Sequence, residues 1–82
     1  MQALIILKIR DGNEEEIWSS LSQVAGVDEI LFLENGTAIV RSSFADIATL
    51  TDAIKSVRNL GFVQSSETRI VLRRLEGQAV PP

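Results

Sequence analysis

Residues 27–41, VDEILFLENGTAIVR, constrain the fold more than any other stretch of the chain. Asn35-Gly36 at the centre is the strongest short-range hairpin signal, because a two-residue type I′ turn needs positive φ at both central positions. Such a turn sets Glu34 opposite Thr37, Leu33 opposite Ala38, Phe32 opposite Ile39 and Leu31 opposite Val40. One face of the hairpin then shows Ile30, Phe32 and Ile39, and the other shows Leu31, Leu33, Ala38 and Val40. An antiparallel hairpin with one face in water would alternate apolar with polar residues. Here both faces are apolar, so each needs a cover.

The segments around the hairpin supply one cover. Residues 3–10, ALIILKIR, read as a strand that ends at the Asp11-Gly12 turn signal. Ala3, Ile5, Leu7 and Ile9 share an apolar face, while Leu4, Ile6, Lys8 and Arg10 grade from apolar to charged. Asn13 opens a helix in a capping-box pattern with Glu16. Glu14, Glu15 and Glu16 then sit in its first turn and read as complements of the helix dipole on a solvated face rather than as a cation site. Ile17, Leu21 and Val24 form an apolar stripe, and Gly26 fits a left-handed stop.

After the hairpin, Ser43 is expected to cap a second helix, with Asp46 three residues on. Ile47, Leu50, Ile54 and Val57 form its stripe, Phe44 folds in at its start, and Gly61 is its expected stop. A last strand is expected over residues 67–75, with Thr68, Ile70 and Leu72 on one face. Residues 1–76 form one domain in this reading, and 77–82 a flexible polar tail.

The order is β-α-β, hairpin, β-α-β. Right-handed crossovers place the first and third strands at the centre of a four-stranded antiparallel sheet with both helices on one face, a ferredoxin-like α+β sandwich. The other face carries Leu4, Ile6 and apolar residues of the hairpin. Exposed apolar area of that kind marks an interface, and pairing sheet face on sheet face in a homodimer would cover it. Leu4, Ile6, Ile30, Phe32 and Ile39 are the residues assigned to that interface.

Little in the sequence suggests catalysis. With 82 residues there is no His and no Cys, so imidazole and thiolate chemistry, disulfides and the commonest metal ligands are absent. No Gly-rich phosphate loop or nucleophile elbow appears. The chain is read as non-enzymatic, without a cofactor or metal, and as cytoplasmic, since no apolar run approaches the ~20 residues of a membrane span. The expected first and third strands carry no aromatic residues to stack bases. Arg69, Arg73 and Arg74 read as a solvated strand edge or a charge complement to the acidic helix start rather than as a nucleic-acid site.

Two phrases carry a family resemblance: VAGVDEILFLENG (24–36) and LGFVQSSETRIVLRR (60–74). Together with the element order they resemble the effector-binding (RAM) domain of the Lrp/AsnC transcription regulators. The resemblance covers about residues 3–75. It implies a self-associating regulatory module whose dimers assemble further into rings. It also implies an amino acid or related effector held between dimers, and co-assembly with full-length regulators. Carried over by position, the ligand would touch Glu34, Asn35, Gly36 and Thr37 with Ser66 and Thr68. The family loop commonly reads Gly-x-Tyr-Asp, whereas Glu34-Asn35-Gly36-Thr37 is shorter and lacks both the aromatic and the Asp. Glu34 is then the carboxylate left to meet an ammonium group.

Family members usually carry a DNA-reading helix-turn-helix domain ahead of this one. The present chain starts at the first strand and so resembles a stand-alone form, expected not to bind DNA directly. An ACT-like amino-acid-binding domain has the same element order and would place its ligand at Asp11-Gly12-Asn13. A small ferredoxin-like enzyme is the remaining alternative.

The net charge of −3 gives no basic footprint for phosphate neutralisation. The chain is therefore expected to show no tight binding to duplex DNA in a mobility-shift assay. A shift that weakens steeply with added salt would contradict this.

Overall fold

A computed structural model describes residues 1–10, 13–75 and 77. The elements run β1 (Gln2–Ile9), α1 (Glu14–Leu21), β2 (Val27–Leu33), β3 (Thr37–Ser43), α2 (Ile47–Arg58) and β4 (Val63–Ile70). The four strands form one sheet in the order β2-β3-β1-β4, with every neighbouring pair antiparallel. The ferredoxin-like α+β arrangement expected from the sequence is the one observed.

Period-two alternation decides which side of the sheet each residue takes. Ala3, Ile5 and Leu7 of β1 and Ala38, Val40 and Ser42 of β3 are buried. The apolar ones among them pack in two clusters with Ile17 and Leu21 of α1 and with Leu50, Ala53 and Val57 of α2. Burying each large aliphatic side chain contributes about 1.5–3 kcal/mol. Ser42 is the buried polar residue among the described ones, and its hydroxyl donates to the Ala3 carbonyl at 3.0 Å.

The hairpin register differs by one residue from the sequence expectation. Leu33 pairs with Thr37, Phe32 with Ala38, Leu31 with Ile39 and Ile30 with Val40, so Glu34, Asn35 and Gly36 all lie in the turn. Asn35 (φ 62°) and Gly36 (φ 69°) are both left-handed, as the turn signal implies. Hydrophobicity cannot choose between the registers, because both faces of β2 are apolar. Glu29 can. The expected register would set it opposite Ser42, which is only 1% exposed, and an unpaired carboxylate buried there would be costly. The observed register sets Glu29 opposite Arg41 and pairs them at 3.3 Å. Ile30 and Phe32 consequently face the helices, and Leu31 and Leu33 turn outward.

The helices also begin and end differently. Asn13 caps α1 but accepts from the N–H of Glu15 at 2.8 Å, not from Glu16. α1 stops at Leu21, where the Ser22 hydroxyl donates to the Ser19 carbonyl and competes with a further helical turn. α2 is capped by Asp46, not Ser43. Ser43 is still strand: its N–H donates to the Gly26 carbonyl at 2.8 Å and its hydroxyl to Asp28. The Thr49 hydroxyl and the Thr49 N–H both donate to the Asp46 carboxylate, and these bonds hold its pKa below the usual value of 3.8.

β4 lies over Val63–Ile70 rather than over 67–75, because its antiparallel partner β1 spans Gln2–Ile9 and sets Ile9 opposite Val63 and Ala3 opposite Ile70. Its last ladder bond runs from the Val71 N–H to the Gln2 carbonyl. Leu72 beyond it is 95% exposed. The expected flexible tail falls, apart from Gly77, outside the described residues.

Two glycines separate a required position from a replaceable one. Gly26 (φ 87°) is left-handed, and a Cβ there would lie 2.7 Å from both the Ser43 carbonyl oxygen and the Phe44 ring. Gly61, the expected stop of α2, lies beyond the actual cap at Asn59, has nothing within 4 Å of an added Cβ, and has no positive φ. Gly26→Ala should destabilise the fold by more than about 1 kcal/mol, and Gly61→Ala should be neutral or stabilising by up to about 1 kcal/mol, in urea unfolding.

Asp46 gives a pH signature. A carboxyl whose pKa is lowered by folding contributes stability above its unfolded pKa and loses it as pH falls through the folded value. The Tm difference between wild type and Asp46→Ala should be full at neutral pH and shrink below the ordinary carboxylate range. A pH-independent difference would show that the charge of the cap does not matter.

Candidate functional site

The helices cover one side of the sheet, and nothing in the described chain covers the other. Register places three rows of residues on that open side. The first is Glu29, Arg41, Leu4, Arg69; the second Leu31, Ile39, Ile6, Glu67; the third Leu33, Thr37, Lys8, Ser65. Leu4, Ile6, Ile39, Leu31 and Leu33 make a continuous apolar centre, with Leu31 at 43% and Leu33 at 47% exposure. Charges of both signs border it. Arg41 pairs with Glu29, and Arg69 pairs with Glu67 at 2.6 Å.

Three of the five residues assigned to the interface from sequence, Leu4, Ile6 and Ile39, lie together on this face. Ile30 and Phe32 do not. Ile30 packs into the core beneath the helices, and Phe32 lies on the helix side, at the edge of a cavity. The one-residue register difference is the cause, and Leu31 and Leu33 take their places.

The ligand residues carried over from the family resemblance separate into two groups. Glu34, Asn35 and Gly36 form the β2–β3 turn, and Thr37 points to the open face opposite Lys8. The turn is tied to the end of β1, since the Lys8 ammonium donates to the Asn35 carbonyl at 3.0 Å and the Ile9 N–H to the Gly36 carbonyl at 2.7 Å. Ser66 and Thr68 sit on β4 opposite Leu7 and Ile5, and so face the helix layer. The Ser66 hydroxyl accepts from Arg58 Nε at 3.3 Å, joining β4 to the last turn of α2. β3 and β4 are two strand spacings apart, about 10 Å. Thr37 and Ser66 nevertheless line one cavity of about 210 Å³ with Ile6, Lys8, Ser65 and Glu67, while Glu34, Asn35, Gly36 and Thr68 are not among its walls. For the ACT-like alternative, Asp11 and Gly12 lie outside the described residues, and Asn13 serves as the α1 cap.

A cavity of about 200 Å³ opens where the hairpin turn meets the start of α1. Gly36 and Thr37 line it on the hairpin side with Phe32 and Leu33, Ile9 and Arg10 from the end of β1, and Glu14 and Ile17 from α1. Neither the Arg10 nor the Glu14 side chain has a hydrogen-bond or ion-pair partner among the described residues. Sequence reading took Arg10 as a strand-end charge and Glu14 as a dipole complement. The signal that brings them together is topological: β1 pairs with β3 up to Thr37, so whatever follows β1 lies beside the hairpin turn. A further, wider cavity of about 490 Å³ lies between α1 and the turn before β4, lined in part by Asn13, Glu16, Leu60 and Phe62. Among the described residues no three acidic side chains converge to hold a metal ion, and no helix is long and apolar enough to cross a membrane.

No protein-family model matches the sequence, and no curated protein matches it significantly. Solved structures do match in fold. A transcriptional regulator of Neisseria meningitidis, NMB0573, solved as its complex with L-methionine, superposes with a TM-score of 0.79 at 19% identity. The match covers 99% of this chain and 55% of that one, so the present chain spans about half of the regulator. TTHA0845 from Thermus thermophilus superposes with a TM-score of 0.75 at 15% identity, over 93% of this chain and 98% of the other. The Tat proofreading chaperone NapD of E. coli gives 0.74 at 21% identity, over 100% of this chain and 87% of NapD. The fold implied by the resemblance to the Lrp/AsnC effector-binding domain is thus the fold of this chain, which it shares with a methionine-bound regulator and with a chaperone.

Proposed function

We propose that the chain is a non-catalytic regulatory module of the Lrp/AsnC type, which self-associates through its open sheet face and responds to an amino acid or related small effector. The observation that carries this reading is the uncovered sheet. A domain of 82 residues has a narrow stability margin, and its centre of Leu4, Ile6, Leu31, Leu33 and Ile39 is left to water in a single copy. A second copy related by a two-fold axis buries the same patch on both partners. The rim, with Arg41 and Arg69 set against Glu29 and Glu67, offers both signs of charge and so permits such self-pairing. The similarity to the methionine-bound regulator supports the effector half of the reading. In this role the module works in the cytoplasm, with full-length regulators as the partners whose assembly it alters.

A second reading draws on the fold shared with NapD, which matches over 100% of this chain. A chaperone-type module would offer its open face to a client polypeptide in place of a second copy. The two readings differ in mass: the regulator reading requires a dimer or a larger ring, and the chaperone reading is met by a monomer.

Ile6→Asp should place an unpaired carboxylate at the centre of the interface and weaken association by roughly 3 kcal/mol or more, about a hundredfold in Kd. Ile47→Asp, on α2 at a residue 56% exposed, should leave the mass unchanged. Sedimentation equilibrium reads both. An Ile6→Asp protein that associates as wild type does would place the interface elsewhere, and a monomeric wild type would favour the chaperone reading.

A further inference from the structure

We infer that the outer edge of β4, with the chain that runs on from it to Leu75, pairs antiparallel with the same segment of a second copy. This contact is separate from the pairing of open sheet faces and gives the protein a second surface for self-association.

β4 is an edge strand. It is hydrogen-bonded to β1 on one side, and among the described residues no strand lies on its other side. The Val71 N–H donates inward to the Gln2 carbonyl at 2.9 Å. Successive residues of an antiparallel strand turn their N–H and C=O to opposite edges, so those of Thr68 and Ile70 point outward. Beyond Val71 the chain runs past the start of β1, yet its residues still suit a strand. Ile70, Val71 and Leu72 are a continuous apolar run, and Leu72 and Leu75 are 95% and 77% exposed. Edge strands are usually blunted by Pro, Lys or a bulge. Neither Pro nor Lys occurs over residues 62–76, and the one register shift against β1 lies at the opposite end, near Val63.

Charge sets the register and with it the occupant. A two-fold axis at Ile70 brings Ile70 against its own copy, Thr68 against the partner's Leu72 and Glu67 against the partner's Arg73. Opposite charges are then directly opposed and like charges are not, which favours a cross-strand pair. Moving the axis by one residue opposes like charges: Arg69 to itself in one direction, Arg69 to Arg73 in the other. In the Ile70 register each overhang receives the ladder that β1 is too short to give. Ile70 and Leu72, exposed in a single copy, gain neighbours on the partner.

Hydrogen exchange of single amides, followed by NMR over a dilution series, tests the pairing. In concentrated wild-type protein the Thr68 and Ile70 amides should exchange about tenfold or more slowly than in dilute protein, while the Arg69 amide, turned toward β1, should be slow in both. Pairing of the open faces offers the outward amides no acceptor, so this readout is independent of mass. Leu72→Pro removes a pairing N–H outside β4 and should abolish the difference without lowering the Tm of dilute protein. Arg73→Glu sets carboxylates face to face and should abolish it too. Adding Glu67→Arg to that variant should restore it, a rescue that no role within one copy provides. If the Thr68 and Ile70 amides of wild type exchange alike at every concentration, the edge is unpaired and the inference falls, while sedimentation of Ile6→Asp still decides the face pairing. If they are slowed but Arg73→Glu leaves them slow, the second copy does not sit in this register and the inference also falls.

Discussion

One constraint shapes this molecule: the sheet has two faces, and the described residues supply helices for only one. The alternating residues of β1 and β3 that turn toward the helices, Ile5, Leu7, Ala38 and Val40, are fully buried and build the main core. Their neighbours in the same strands, Leu4, Ile6 and Ile39, must point the opposite way. A strand cannot be apolar on both faces and remain comfortable in water on one of them. The same alternation that makes the core therefore creates the bare face, and the functional reading follows from what covers that face.

Much of this was legible in the residues because alternation and helical spacing leave strong traces. The element order, the central placement of β1 and β3, and the helix stripes through Ile17, Leu21, Leu50 and Val57 were all readable. The failures are local and have physical causes. Two apolar faces on β2 hid the register, and the deciding residue was Glu29, whose carboxylate needed Arg41 and could not face Ser42. Ser43 and Asp46 are both good caps, and hydrogen bonds outside the helix chose between them: Ser43 was already committed to Gly26 and Asp28. Gln64, Ser65 and Ser66 have weak strand preference, yet they are strand because β1 offers them a ladder. The Arg10–Glu14 cavity left no local trace, since its walls come from three elements joined only by the topology.

The fold by itself supports more than one use, because function resides in sites set on a fold and not in the fold. A methionine-bound regulator and a proofreading chaperone share this arrangement of strands and helices. Two features give this chain its own character. One is the apolar centre of the open face with charges of both signs at its border. The other is the cavity at the end of the sheet beside it, lined by Arg10 and Glu14, neither of which has a partner among the described residues. The cavity shares Leu33 and Thr37 with the third row of the open face.

The central claim is that a second copy covers the open face. It is tested most directly by isotope-filtered nuclear Overhauser measurements on a mixture of labelled and unlabelled protein, in which only contacts between copies give signals. The account predicts intermolecular contacts from the methyl groups of Leu4, Ile6, Leu31 and Ile39, and none from Ile5, Leu7 or Val40. Intermolecular contacts confined to the helix side, or a monomer without any at concentrations well above the micromolar range, would contradict it.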